Sequence, residues 1–169
     1  DFIRTTEERH KVGVRKLLQA CYDAGDIELD VYRGHYCVAC EAYYVQDELV
    51  EGNCPIHKTA VNYVEEENYF FRLSRFEDRL LKWYEDHPHA ITPGFRMNEV
   101  IGFIKGGLHD LSVSRTTFDW GIPVPDAPGH VMYVWLDALN NYVTACGFPD
   151  ADAARWKYWP ADVHFVGKD

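Results

Sequence analysis

The 169 residues of the chain are enough for one ordinary domain, or for a compact core that carries a small satellite. Apolar residues make up 47 % and aromatic residues 15 %, so the chain can bury a core, and disorder over most of its length is excluded. Lys and Arg number 17 against 27 Asp and Glu, and the formal net charge of −10 argues against a surface that binds nucleic acid throughout, although a local basic patch stays open.

The first elements along the chain are a predicted helix and a predicted strand. Thr5 and Glu8 have the three-residue spacing of a capping box, and apolar positions recur over the following turns. We expect the helix to end near Gly25, because glycine commonly ends helices. Residues 27–36 then predict a strand that leads into a metal-binding module, which ends near residue 61.

Four candidate metal ligands lie in that module as a Cys-x-x-Cys pair and a Cys-x-x-His pair, namely Cys37, Cys40, Cys54 and His57. Each pair places two ligands on one tight turn, and the spacer between the pairs has the length of a short hairpin. Three thiolates and one imidazole complete a tetrahedron around Zn²⁺ and leave no position for a catalytic water. The pattern therefore favours one structural zinc ion over reduced core cysteines beside a surface histidine. His35 is an alternative ligand, but its position directly before the first turn gives poor geometry.

The rest of the chain predicts helices and strands around one proline-rich loop. Ser74 and Glu77 have a second capping-box spacing, and His87-Pro88 is expected to stop the helix that follows. The acidic residues 65–67 are expected at a solvated edge beside the metal module. The predicted elements are a strand at 68–73, a helix at 74–87, a helix from about 93 to Gly106 with Met97, Val100, Ile101 and Phe103 on one face, a strand-like segment at 111–114, the loop at 120–129, a strand at 130–135, a helix at 137–146, and a final buried strand from 163 that stops at Gly167.

Cysteine use and targeting signals bear on the cellular location. Cys21 and Cys146 stay unpaired beside the metal cysteines, a pattern that suits a reducing cytosol better than a disulfide-bonded secreted protein. The sequence shows no signal peptide and no apolar run of membrane-spanning length. We therefore expect a cytoplasmic protein without membrane attachment. Both ends look cut, and the chain is interpreted as a fragment.

Six segments together resemble the bacterial methionyl-tRNA synthetases, a family of class I aminoacyl-tRNA synthetases. They are DFIRTT at 1–6, the double Cys/His motif, EEENYFFRLS at 65–74, DLSVSR at 110–115, YVWLDALNNY at 133–142 and HFVGKD at 164–169. Each segment alone is moderately specific, and their order along nearly the whole chain is highly specific. The family often has Cys where this chain has His57, a departure that zinc accepts.

The resemblance implies an α/β fold, as part of a class I Rossmann-like catalytic domain with an inserted zinc-knuckle connective domain. It also implies domain boundaries for this chain. Residues 1–26 would form a helix at the end of the first catalytic half, 27–73 the zinc-knuckle connective peptide, 74–129 a helical connective region that returns to the core, and 130–169 the start of the second catalytic half.

The function that the resemblance implies is that of an ATP-dependent aminoacyl-tRNA ligase. The full enzyme would join methionine to ATP, with Mg²⁺, to give methionyl-adenylate and pyrophosphate, and would then transfer methionine to tRNA(Met). A monomer with one structural Zn²⁺ is expected. The family's His-x-Gly-His and Lys-Met-Ser-Lys-Ser signatures are both missing from the chain, and His10 lacks the context of the first. The chain alone is therefore expected to be inactive.

The resemblance assigns a methionine pocket to Trp135, Ala138, Leu139 and Tyr142. Their spacing of three, four and seven residues places them on one helical face, and by periodicity alone a core stripe is favoured. Aromatic and apolar walls also suit a thioether, and Tyr142 adds a polar tip. The resemblance favours the pocket.

The resemblance also assigns nucleotide-binding residues at the end of the final predicted strand. Gly167 and Asp169 would hold the ribose of ATP, with Lys168 as a more doubtful contact, because open α/β sheets bind nucleotides at the carboxyl ends of their strands. Arg115 is the candidate catalytic residue, near substrate or phosphate charge, and its alternative role is an ordinary ion pair with Asp110 or Asp119.

Two other functions are compatible with parts of the sequence. The double Cys/His motif could form an independent binding module, although the acidic charge and the many residues after it argue against this. A sister class I synthetase for leucine, isoleucine or valine would be expected to carry a large editing domain in the insertion, and the chain has no room for one.

Overall fold

A long antiparallel ribbon joins a small core to the Cys/His module. This computed structural model describes residues 1–40, 42–117 and 119–167, with the backbone alone for residues 42 and 43. The helices are α1 (Glu8–Asp23), α2 (Glu77–Asp86), α3 (Gly94–Lys105), α4 (Val134–Leu139) and α5 (Asn141–Ala145). The strands are β1 (Ile27–Cys37), β2 (Ala42–Tyr44), β3 (Asn62–Phe71), β4 (Leu111–Ser112), β5 (Ser114–Arg115) and β6 (Val131–Met132). Short 3₁₀ turns lie at Gln46–Glu48, Leu73–Phe76 and Trp156–Tyr158.

The ribbon is the pair of strands β1 and β3 within a sheet of order β2-β1-β3-β4. Its register runs from Ile27 opposite Phe71 to Tyr36 opposite Asn62, and all its neighbouring strands are antiparallel. A second sheet pairs β5 with β6, also antiparallel. The predicted strand at 27–36 is confirmed, whereas the strand predicted at 68–73 begins six residues earlier, at Asn62.

The core lies where α1 covers the base of the ribbon and the loop that leads to β6. Its buried side chains come from every part of this contact and are aliphatic or small, namely Val14, Leu18, Ile27, Val113, Ile122, Val124, Ala127 and Met132. Burial of such side chains is the main favourable term in folding. The core thereby fixes α1 against the segment that carries α4.

Both predicted capping boxes are wrong. Helix α1 begins at Glu8 after Glu7, whose carboxylate accepts a hydrogen bond from the Arg4 amide instead. Helix α2 begins at Glu77, three residues later than predicted, because the Ser74 hydroxyl donates to the Asp110 carboxylate 36 residues away. The predicted helix ends near Gly25 and at residue 87 are confirmed.

Helix α3 has the predicted limits but a different buried face. Met97 and Ile104, seven residues apart, are its buried side chains, whereas Phe103 is 72 % exposed. The prediction that Phe103 belongs to the buried face is therefore wrong. Helix α3 packs against α2, and its buried side chains form a narrower stripe than the four predicted positions.

Three further predictions are corrected at the level of single elements. The strand predicted at 130–135 is limited to Val131–Met132, and helix α4 begins at Val134 instead of 137. The final segment from 163 forms no strand within the described residues and is exposed, with Phe165 94 % accessible. The acidic residues 65–67 lie within β3. Glu65 and Glu67 are exposed there, as predicted for a solvated edge, and Glu66 accepts a hydrogen bond from the Thr116 amide.

No helix among residues 1–40, 42–117 and 119–167 has both the length and the apolar character needed to cross a bilayer.

Candidate functional site

The four predicted metal ligands converge at the far end of the ribbon. The ligand atoms of Cys37, Cys40, Cys54 and His57 all lie within 4.8 Å of one another. The Cys40 Sγ atom is 3.4 Å from Cys37 Sγ, 3.2 Å from Cys54 Sγ and 3.0 Å from His57 Nδ1. The sequence prediction that these side chains form one cluster is confirmed.

Backbone geometry brings the two ligand pairs together. The first pair begins at Cys37, the last residue of β1, and β2 returns beside β1 with Cys37 opposite Ala42. The second pair lies in a turn closed by hydrogen bonds from the Lys58 amide to the Cys54 carbonyl and from the Cys54 amide to the Thr59 carbonyl. The turn thus aims the second ligand pair at the first.

The donor set fits a divalent metal ion. Sulfur atoms about 2.3 Å from a tetrahedral zinc ion would be about 3.8 Å apart, and the observed separations of 3.4 and 3.2 Å are about 0.4 to 0.6 Å shorter than this. Three thiolates and one imidazole fill four positions, so a metal held here would support structure rather than activate water. Cys37, Cys40, Cys54 and His57 can therefore hold a metal ion together.

The hydroxyl of Tyr44 lies beside this cluster, a contact that spacing alone does not reveal. Its oxygen is 3.2 Å from Cys40 Sγ and 3.8 Å from Cys54 Sγ. These contacts, with Cys40 first, raise the pKa of the Tyr44 hydroxyl and keep its proton in place. A retained phenolic proton can be donated to a thiolate, as outer groups around metal sites commonly do.

The thiols of the cluster differ in acidity. Burial raises the pKa of the Cys54 thiol, but hydrogen bonds from the amides of His57 and Ile56 and from neighbouring thiols outweigh it and lower that pKa to about 6. Hydrogen bonding to Tyr44 lowers the pKa of Cys40, but burial and the bonds with Cys54 and Cys37 raise it to about 11. Metal binding would displace the protons that remain, because thiolates are the binding form.

The predicted methionine pocket residues lie on α4 and α5, and their face is largely open. Trp135 is 53 % exposed and Leu139 59 % exposed, while Ala138 and Tyr142 are half-buried. The buried side chains of this region, Asn140 and Thr144, point the other way, toward α1. The alternative that the stripe is ordinary core is thus not supported, since Trp135 and Leu139 are both exposed.

The chain just before the predicted nucleotide-binding residues contacts the same wall. The ring of His164 packs edge-on against Tyr142, with ring centroids 4.9 Å apart. Gly167, three residues later, lines a cavity of about 600 Å³ together with Pro93 and Arg96. Lys168 and Asp169 lie outside the described residues, so their assignment to ATP stays a prediction.

Arg115 is buried inside the fold. Its guanidinium donates to the Ser112 hydroxyl and to the Ser114 carbonyl, both at 2.7 Å, and lies 3.7 Å over the ring of Tyr133. The Asp110 carboxylate, one of the two predicted ion-pair partners, accepts hydrogen bonds from Ser74. These contacts hold Arg115 rigidly, next to the residue that precedes α4. Its catalytic role stays a prediction.

Comparison with known proteins relates the whole chain to one family. The sequence model of the family described as "tRNA synthetases class I (M)" matches residues 1–64 and 56–169, which together span the chain. The chain belongs to this family of class I tRNA synthetases. The resemblance read from the six segments is thus confirmed.

Named relatives of this synthetase chain are methionine–tRNA ligases. The enzyme of Caldanaerobacter subterraneus subsp. tengcongensis is 53 % identical over 169 residues, which covers 99 % of this chain and 26 % of the relative. That of Brucella suis is 52 % identical over 173 residues and covers 100 % of this chain and 34 % of the relative. The chain therefore spans about a quarter to a third of the length of these relatives.

A solved structure confirms the fold class. Mycobacterium tuberculosis methionyl-tRNA synthetase in complex with methionyl-adenylate matches with a TM-score of 0.89 and 50 % sequence identity, over 99 % of this chain and 34 % of that one. A free form of the same enzyme matches with a TM-score of 0.86. The mixed helices and strands of this chain thus form part of a class I synthetase fold. The domain boundaries at 26, 73 and 129 stay predictions.

Proposed function

We propose that this chain is a segment of a methionine–tRNA ligase. The complete enzyme joins the methionine carboxylate to the α-phosphate of ATP, which forms methionyl-adenylate and releases pyrophosphate, and then transfers methionine to tRNA(Met) with release of AMP. The observation that carries the proposal is the exposed aromatic and apolar wall of α4 and α5, in a chain about half identical to enzymes of that name. The methionyl-adenylate bound to one of the similar structures is the intermediate of this reaction.

The methionine side chain is proposed to pack on the wall formed by Trp135, Ala138, Leu139 and Tyr142. A thioether is apolar and polarisable, and sulfur makes favourable contacts with aromatic rings. The wall carries no charged group at these four positions, so an uncharged side chain is preferred. Discrimination by such a wall rests on shape, because one methylene changes binding by about 1–3 kcal/mol.

The nucleotide is proposed to lie beside this wall, at residues 167–169. His164 contacts Tyr142 of the methionine wall, and Gly167 is three residues further along the chain. This supports adjacent sites for the two substrates, which their reaction requires. Gly167 would allow close approach of the ribose, Asp169 would accept hydrogen bonds from its hydroxyls, and Lys168 would lie near the phosphates with Mg²⁺. Arg115, held by Ser112 and Ser114, would act from below α4 on developing phosphate charge.

The metal cluster is proposed to hold one Zn²⁺ with a structural role. The three thiols and one imidazole match the ligands of structural zinc sites. The ion supplies no step of the reaction and fixes the tip of the ribbon. A cytoplasmic monomer that meets tRNA(Met) through the complete enzyme completes the proposal.

ATP–pyrophosphate exchange with the complete protein tests the proposed function. Exchange should depend on methionine and should not occur when leucine, isoleucine or valine replaces it. Exchange supported by one of those three amino acids instead would assign the chain to a sister enzyme. The 169-residue chain alone should show no exchange, and aminoacylation of tRNA(Met) by the complete protein tests the second step.

A further inference from the structure

A fully buried histidine joins α1 to α4. The Nε2 atom of His10 is 2.7 Å from Oδ1 of Asp137 and 3.0 Å from the carbonyl oxygen of the same residue. Both partners are acceptors, so Nε2 carries a hydrogen and donates to both. A residue 127 positions away is thereby fixed to the first helix.

The second nitrogen of His10 continues the network into α5. Its Nδ1 atom is 3.3 Å from the Thr144 hydroxyl, which also accepts a hydrogen bond of 3.2 Å from the Asn140 amide. Since Nε2 carries the hydrogen, Nδ1 of the neutral ring accepts one from the Thr144 hydroxyl. Asn140 thus donates to Thr144, Thr144 donates to His10, and His10 donates to Asp137. Asn140 and Thr144 are both buried, so this network lies inside the protein rather than on its surface.

A glycine on α1 allows the helices to approach closely enough for these bonds. A Cβ atom at Gly13 would lie 2.9 Å from the Asn140 amide nitrogen and 3.1 Å from the Thr144 hydroxyl. Gly13 is three residues from His10, on the same face of α1. The contact surface of α1 is thus shaped around this polar network.

The network fixes helices that cannot hold their position alone. Helices α4 and α5 have six and five residues, and helices of this length are unstable in isolation. Their inner side carries Asp137, Asn140 and Thr144, and their outer side carries Trp135 and Leu139. A rotation of α4 that lengthened the bond to His10 would therefore move the exposed wall.

We propose that His10 is a positioning residue for methionine: through Asp137 and Thr144 it sets the placement of the α4–α5 wall on which the amino acid packs. The inference rests on the proposed function and extends it to a residue that does not touch substrate. The hydrogen bonds of the buried imidazole should therefore affect the affinity for methionine but not the affinity for ATP.

The test compares His10→Leu with His10→Gln in the complete enzyme by ATP–pyrophosphate exchange. Leucine removes all three hydrogen-bond contacts of the imidazole, and KM for methionine should rise about tenfold, the change that corresponds to about 1.4 kcal/mol, while KM for ATP stays within about twofold. Glutamine can place its amide nitrogen near the position of Nε2 and should restore most of the loss. The matched control is His109→Leu, since His109 is exposed, and it should change neither KM.

The outcomes separate the two proposals. Absence of methionine-dependent exchange in the unchanged protein overturns the proposed function and this role with it. Exchange with an unchanged KM for methionine in His10→Leu overturns the positioning role alone, as does a fall in kcat at constant KM, which indicates only a smaller folded fraction. Should His10→Leu not fold, Thr144→Val decides, because it removes the hydroxyl and keeps the side-chain shape. An unchanged KM for methionine there is equally fatal to the inference.

Discussion

Replacement of Cys54 by serine tests the metal cluster directly. Among the described side chains between residues 38 and 61, Cys54 alone is buried, while Val45, Val50 and Ile56 are exposed. The module therefore has little apolar burial to stabilise it and depends on its ligands. Cys54→Ser removes one of the four donors and leaves the chain otherwise unchanged.

The expected loss follows from the number of ligands. Structural zinc ions bind to small modules with about 10–16 kcal/mol, and a quarter of this is about 3 kcal/mol, or on the order of a hundredfold in Kd. The loss of metal-binding free energy should exceed about 3 kcal/mol if the two ligand-bearing turns also separate. It should be smaller if water replaces the missing thiolate.

Competition with a chromogenic chelator, after metal analysis of the purified protein, measures this change. The unchanged protein should contain one zinc ion per chain, and Cys54→Ser should release it at a chelator concentration roughly a hundredfold lower. Cys146→Ser is the control, because Cys146 lies outside the cluster on the body of the protein. Retention of zinc with unchanged affinity in Cys54→Ser, or equal loss in Cys146→Ser, would refute the reasoning.

Three further substitutions test other contacts. Trp135→Ala should raise KM for methionine in pyrophosphate exchange about tenfold or more, since a large aromatic contact is lost. The control Trp120→Ala, at an exposed loop position, should leave this KM unchanged. Equal effects of the two substitutions would show that Trp135 is not part of the methionine pocket. Tyr44→Phe should keep the zinc stoichiometry but weaken metal affinity about tenfold, since it removes the hydroxyl beside two thiolates, and unchanged affinity in the chelator assay would contradict this. Gly13→Ala should lower the free energy of unfolding by about 1–3 kcal/mol in denaturant titration, because its Cβ meets side chains at 2.9 and 3.1 Å. Gly102→Ala, whose Cβ meets nothing within 4 Å, should be neutral or stabilising, and a similar loss there would show that the loss at Gly13 does not come from its close contacts.

Patterns that depend on neighbouring residues could be predicted from the sequence. The two ligand pairs converge as their spacing indicated, because each pair is fixed by its own turn. The strand at Ile27 and the helix end near Gly25 follow from alternation and from glycine in the same way. The helical spacing from Trp135 to Tyr142 also survives, although α4 ends and α5 begins on either side of Asn140.

Features that depend on distant residues could not be predicted. The capping box at Ser74 failed because its hydroxyl bonds to Asp110, and Glu77 accepts from the Leu108 amide, both more than thirty positions away. The same limit hid the bonds of His10, which appeared in the sequence as an isolated histidine on a helix. The apolar segment from 163 was predicted as a buried strand on its composition, but a strand needs a partner, and none pairs with it among the described residues.

The ribbon of β1 and β3 has a third strand only near its two ends in the described part of the chain. Strand β2 lies beside residues 35–37, and β4 lies beside Phe70 and Phe71. Two strands alone are marginally stable and twist more than wide sheets do. The residue pairs in the middle of the ribbon therefore depend for their register on the structure that holds its two ends. A metal ion bound at the Cys/His cluster would therefore also limit the twist of the ribbon, and its removal would free one end of the paired strands to twist.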